Sequence, residues 1–191
     1  MALKPGERKT QILQTLATML EQPQGEKITT AALAAKVGVS EAALYRHFAS
    51  KAQMFEALIE FIEASVFTLV NQIAQSERDG RAQVRQIVSM LLNFAEKNPG
   101  MVRVLIGDAL VNEDPRLQVR INQLVDRVES SLKQALQLIN VAPAGAVSAS
   151  TAAQANALTA FVVGRWQLYA KSGFKRNPGE YVTEQLALFR L

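Results

Sequence analysis

The stretch TTAALAAKVGVSEAALYRHFASK, Thr29–Lys51, decides how the chain is read. It predicts a short helix from about Thr30 to Lys36, a turn at Val37-Gly38-Val39 and a second helix from Glu41 to His47. Two short helices that cross steeply need a small residue where they touch and a residue free to turn left-handed between them. Ala34 supplies the first and Gly38, four residues on, the second. Leu33, Val37, Val39 and Leu44 are apolar where the pair must be pinned, and Ser40 is a good N-cap for the second helix. The pattern is that of a helix-turn-helix centred on Leu33–Phe48, whose second helix offers its first residues to the major groove.

Outward from this motif nearly every segment carries a helical period and none alternates like a strand. Upstream, Ile12, Leu13, Leu16 and Leu20 form one stripe, ended by Pro23–Gly25. Downstream, Ser50 caps a long helix, Lys51–Ser76, with Gln53 placed to complete a capping box. A further helix is expected over Arg81–Lys97, broken at Asn98-Pro99-Gly100, and another from the Asp114-Pro115 start to about Ile139. The small-residue loop VAPAGAVSAS, 141–150, precedes two last helices, about Thr151–Ser172 and Glu180–Arg190. The expected fold is all-α: a three-helix DNA-binding head, residues 1–50, and a helical body for dimerisation and partner binding, residues 51–191.

Composition narrows the function. The 191 residues include no cysteine and one histidine, His47. That excludes disulfides, thiolate metal sites and paired-histidine sites, and any Ser-His-Asp triad must use a residue inside the DNA-reading motif. No GxxxxGK, GxGxxG or GxSxG occurs. The chain is therefore expected to be no enzyme and to use no metal or cofactor. Of a net charge of +4, a surplus of three lies within the first 51 residues, which suits a phosphate-facing end. No run approaches the roughly 18 apolar residues of a membrane span, and MALKPGERKT is no signal peptide, so a cytoplasmic, nucleoid-associated protein is expected.

The added residues Leu44-Tyr45, His47-Phe48 and Lys51 make this segment resemble the TetR family of bacterial DNA-binding regulators. The resemblance implies that Thr29, Thr30, Tyr45, His47 and Lys51 contact phosphates. Ser40, Glu41, Ala42, Ala43 and Arg46 are then the candidates for groove contacts, Ala42 and Ala43 being small enough to touch thymine methyls. It also implies a homodimer on a pseudopalindromic duplex, paired through its last two long helices. The candidates there are Leu158, Phe161, Val162, Arg165, Trp166, Tyr169, Leu186 and Phe189, with a ligand pocket or the core as other places for Trp166.

Four further stretches, MFEALIEFIEASV, NFAEKNPGMVRVL, RLQVRINQLVDRVE and SGFKRNP, are similar to the nucleoid-occlusion members of that family. This implies a partner, the tubulin-like division protein FtsZ, whose assembly the DNA-bound dimer antagonises. Phe61 lies roughly 120° off the apolar stripe of its helix, taking about 100° per residue, and Met90, Asn93 and Lys97 share one face of the next. These four and Asn98 are the candidate partner surface. Leu69, Met90 and Asn93 depart from that branch, the first standing where a basic residue is expected, so an acidic tail meets less positive charge here. A ligand-responsive repressor is the alternative function.

Overall fold

The computed structural model describes residues 6–22, 28–139 and 150–191. The break at Pro23–Gly25 and the 141–150 loop, except Ser150, lie outside the described residues, as do Lys4 and Lys27. Among the described residues there are nine α-helices and no strand: α1 Glu7–Leu20, α2 Thr30–Val37, α3 Glu41–Tyr45, α4 Lys51–Ser76, α5 Gly80–Lys97, α6 Pro99–Leu105, α7 Pro115–Gln137, α8 Thr151–Lys171 and α9 Val182–Leu188. A short 3-10 turn, Asp108–Leu110, lies between α6 and α7.

The chain divides into two compact units, Met1–Ile62 with Asn98–Ile121, and Glu63–Lys97 with Asn122–Leu191. This differs from a head ending at residue 50. The first half of α4, with α6 and the start of α7, clusters with the head because each supplies part of one apolar core.

In that first unit α1 packs on α2 and α6. Ile12, Leu16 and Leu20 of α1, Leu33 and Val37 of α2, Leu44 of α3 and Met54, Phe55 and Leu58 of α4 are all buried. Burial of each such side chain is worth about 1.5–3 kcal/mol. Gly100 allows α6 its approach to α1: a Cβ there would stand 1.9 Å from the Ala17 carbonyl oxygen. At the start of α7 Asp114 accepts from the Arg116 backbone N–H and takes its guanidinium at 2.9 Å. The Arg116 hydrogen bond holds the Asp114 carboxyl below the usual carboxylate range.

The start of α4 carries a variant of the expected capping box. Ser50 Oγ accepts from Gln53 N–H at 3.2 Å, while Gln53 Oε1 reaches one residue further back, to Ala49 N–H, at 2.8 Å. By length and mean hydropathy α4 passes as a membrane-crossing helix, against the reading that no run comes near one. One side of it, with Met54, Phe55, Leu58, Ile59, Ile62, Val66, Phe67 and Val70, is instead buried in protein, while Phe61 and Leu69 are exposed.

The second unit is built on α5, α7 and α8. Gly80 seats the start of α5 against α7, where a Cβ would lie 2.4 Å from the Ala135 carbonyl oxygen. The packing of α8 corrects five of the expected dimer contacts. Leu158, Val162, Trp166 and Tyr169, together with Leu186 of α9, are buried within the chain's own core. Trp166 Nε1–H donates to the Leu91 carbonyl at 3.2 Å and Tyr169 O–H to that of Glu96 at 3.2 Å, so both polar tips are satisfied on α5. These side chains face inward because α8 must cover α5. They are not surface available to a second copy.

Arg165 is also taken: its guanidinium donates to the carbonyls of Asn177, Pro178 and Glu180 and holds the α8–α9 connection. Phe161 and Phe189 are half-buried and meet edge to face at 6.1 Å. The outward stripe of α8 runs instead through Ala153, Ala157, Ala160, Gly164 and Leu168. Leu168 is 47% exposed, and Leu188 of α9 is 82% exposed.

Candidate nucleic-acid interface

The α2–α3 pair has the geometry its sequence demands. Gly38 takes φ 78°, ψ 38°, the left-handed conformation that closes α2, and its N–H returns to the Ala34 and Ala35 carbonyls. Ala34 is buried at the crossing. α3 is shorter than expected, ending at Tyr45 rather than His47, because its last turn tightens: His47 N–H bonds to the Leu44 carbonyl at 2.9 Å. The N-terminal ends of the two helices lie close together, since Thr30, first of α2, hydrogen-bonds to Glu41, first of α3.

The expected contacts divide by what their polar groups already do. Thr29 N-caps α2, its Oγ1 accepting from Ala32 N–H at 3.1 Å. Acceptance leaves the hydroxyl proton free to donate to a phosphate. Ser40 does the same at α3, accepting from Ala43 N–H at 3.2 Å. Thr30 differs. Its hydroxyl donates to Glu41 Oε2 at 2.7 Å, which spends its one proton inside the protein and removes it from phosphate donation. Tyr45, Arg46, Glu41 and Ala42 are exposed, while His47 and Ala43 are half-buried. The Tyr45, Arg46 and His47 side chains have no hydrogen-bond partner among the described residues. They are available to an incoming ligand.

Lys51 is the second departure. As the first residue of α4 its ammonium lies against the Phe55 ring, 5.6 Å from the centroid, and forms an ion pair with Glu113, which precedes α7. Both side chains are mostly covered, at 22% and 11% exposure. Nothing in the local sequence signals Glu113, because the partners are 62 residues apart. A neighbouring pair, Arg103 with Asp108 at 2.8 Å, ties α6 to the 3-10 turn.

The candidate partner surface falls in both units, and each part stands by itself. In the first, Phe61 is 46% exposed on α4 and Asn98 is half-buried at the N-cap of α6. In the second, Asn93 and Lys97 are exposed along one side of α5, with Met90 half-buried. Asn93 lines a groove with Glu96, Asn177 and Glu180, and Asn177 donates to Glu96 at 2.8 Å. Two carboxylates, Glu96 and Glu180, thus line the groove beside Asn93.

Comparison with known proteins assigns both ends of the chain. Residues 17–58 match the family described as bacterial regulatory proteins, tetR family, and residues 78–191 that of the tetracyclin repressor-like, C-terminal domain. The chain is 50% identical to the nucleoid occlusion factor SlmA of Alteromonas mediterranea, over 99% of this chain and 97% of that one. It is 51% identical to the nucleoid occlusion factor SlmA of a Marinomonas species, over 97% and 94%. Among solved structures, a TetR-like transcriptional regulator from Rhodococcus sp. RHA1 superposes with a TM-score of 0.75 at 18% identity, covering 97% of this chain and 99% of that one. The regulator PfmR from Thermus thermophilus does so at 0.74 and 21%, covering 93% and 95%. Those two give the fold. Taken with the full-length relatives, they mean that the chain belongs to the SlmA nucleoid occlusion factors, within the TetR family of DNA-binding bacterial regulators.

Proposed function

We infer that this protein binds a pseudopalindromic duplex as a homodimer in the nucleoid-bearing cytoplasm and, when DNA-bound, antagonises FtsZ assembly over the chromosome. The observation that carries this is identity of about one residue in two with nucleoid occlusion factors across head and body together. A shared head alone supports only DNA binding, since regulator bodies serve different partners. Two identical heads impose two-fold symmetry on the site they read. The outward α8 stripe, with Leu168 and Leu188, supports pairing through the last two helices, on a different set of residues from those the sequence suggests.

FtsZ is assigned to two sets of side chains, each taken by itself: Phe61 and Asn98 in the first unit, and Met90, Asn93 and Lys97 in the second. Phe61 offers an apolar anchor and Lys97 a charge for an acidic segment. The test is paired. Phe61→Ala and Lys97→Asp are exposed changes, expected to cost stability under about 0.5 kcal/mol and to leave operator affinity unchanged by fluorescence anisotropy. Both are expected to lose capture of FtsZ and disassembly of its polymers in the presence of DNA. Full antagonism in both variants would overturn the surface, and a wild-type protein inert towards FtsZ on DNA would overturn the function.

A further inference from the structure

Glu41 is an acidic residue in a place where a carboxylate is costly. It opens α3 next to the N-cap Ser40 and is exposed, as are Thr29, Tyr45 and Arg46. A carboxylate brought up to phosphates repels them, and no lysine or arginine among the described residues forms an ion pair with it. Its one partner among the described residues is the Thr30 hydroxyl, which reaches across from α2 to Oε2 at 2.7 Å. A charge-assisted hydrogen bond between two side chains on an open surface competes with water and adds only modestly to stability. What it does is fix direction: one oxygen is held and the other, Oε1, is left with its lone pairs unspent.

A fixed carboxylate can only accept. Along the major groove guanine shows two acceptors, thymine an acceptor and a methyl, and adenine a donor beside an acceptor; cytosine shows the N4 amino donor without an acceptor of its own. Exposed Ala42 and half-buried Ala43 carry no side chain long enough to keep the start of α3 out of the groove. We propose that Glu41, aimed by Thr30, is a specificity-determining residue that accepts a hydrogen bond from a cytosine N4 amino group in each half-site. This rests on the reading of the head as a sequence-specific duplex binder. Thr30 is then a positioning residue for Glu41 and not a phosphate contact.

The experiment is selection of preferred sites from a random duplex pool by the full chain, wild type beside Glu41→Gln, Thr30→Val and Arg46→Ala. The wild type is expected to enrich a symmetric site with one cytosine per half-site, preferred over thymine there by roughly 5- to 100-fold, the range of one good base contact. Glutamine pairs with adenine through N6 and N7, so Glu41→Gln is expected to move the preference at that position from cytosine to adenine. Thr30→Val is expected to keep cytosine with a ratio lowered a few-fold. If Glu41→Gln tightens all duplexes alike and leaves the preferred site unchanged, Glu41 is merely a repelling charge and the proposal falls. An altered site for Arg46→Ala in that case shows that the head still reads DNA. A wild-type chain that enriches no site overturns the DNA reading itself.

Discussion

The two ends of the molecule reward reading differently. In the α2–α3 pair the crossing, turn and cap residues Ala34, Gly38 and Ser40 stand where the sequence suggests, whereas on α8 more than half of the expected interface side chains are buried in their own subunit. The head is specified locally. Ala34, Gly38 and Ser40 act within a few residues of themselves, through a close crossing, a left-handed turn and a cap. The face of α8 is set by α5, some 70 residues away, and periodicity alone does not say which side of a helix with apolar residues on several sides is covered.

The largest test of this contrast is Trp166. As a core residue hydrogen-bonded to α5, its replacement by alanine is expected to cost about 3–5 kcal/mol of unfolding free energy, read by urea denaturation, whatever the protein concentration. Were Trp166 an interface residue, the loss would grow on dilution. Its counterpart is Leu168→Asp on the outward stripe, 47% exposed. That chain is expected to keep its helix content and to sediment as a monomer at micromolar concentration. A stable Leu168→Asp dimer would break the comparison, because pairing would then lie on neither face of α8.

A smaller effect probes the locally specified end. Gly38 sits at φ 78° with open space where a Cβ would go, so alanine there meets no neighbour and suffers only the left-handed backbone. The expected cost is about 1–2 kcal/mol, confined to the head. It should appear as faster amide exchange in α2 and α3 with α5 and α8 unaffected. An asparagine at the same position tolerates this conformation better and is expected to recover part of the loss.

What was legible follows the same division. Helix starts were readable to within a residue for α2, α3, α4, α5, α7 and α8, because caps and prolines mark them. The ends of α3 and α9 fell short of the expected span as their last turns tightened. Thr29, Ser40, Tyr45 and Arg46 stand on the surface as their motif positions suggest. The commitments of Thr30 to Glu41 and of Lys51 to Glu113 were hidden, the first across a turn and the second across 62 residues. Motif spacing names the side chains at a site; it does not reveal which have already been taken by the protein.

Glu113 offers the finest test of that last point. If the head uses Lys51 on phosphate, DNA and Glu113 compete for one ammonium, and an ion pair that persists in the complex releases no counterion. Removing the competing charge with Glu113→Gln is then expected to tighten operator binding at low salt. It should also steepen the slope of log affinity against log salt by up to about 0.9, the value of one added phosphate contact. Loss of a carboxylate near DNA also lowers repulsion without involving Lys51, so Lys51→Ala is measured in both backgrounds. A larger effect of Lys51→Ala when residue 113 is glutamine marks direct competition. Negligible effects of Lys51→Ala in both backgrounds, with a drop in thermal stability for Glu113→Gln, mean instead that the pair is a strut between the start of α4 and the segment before α7, and that the head holds phosphate through Thr29, Tyr45 and His47 without Lys51.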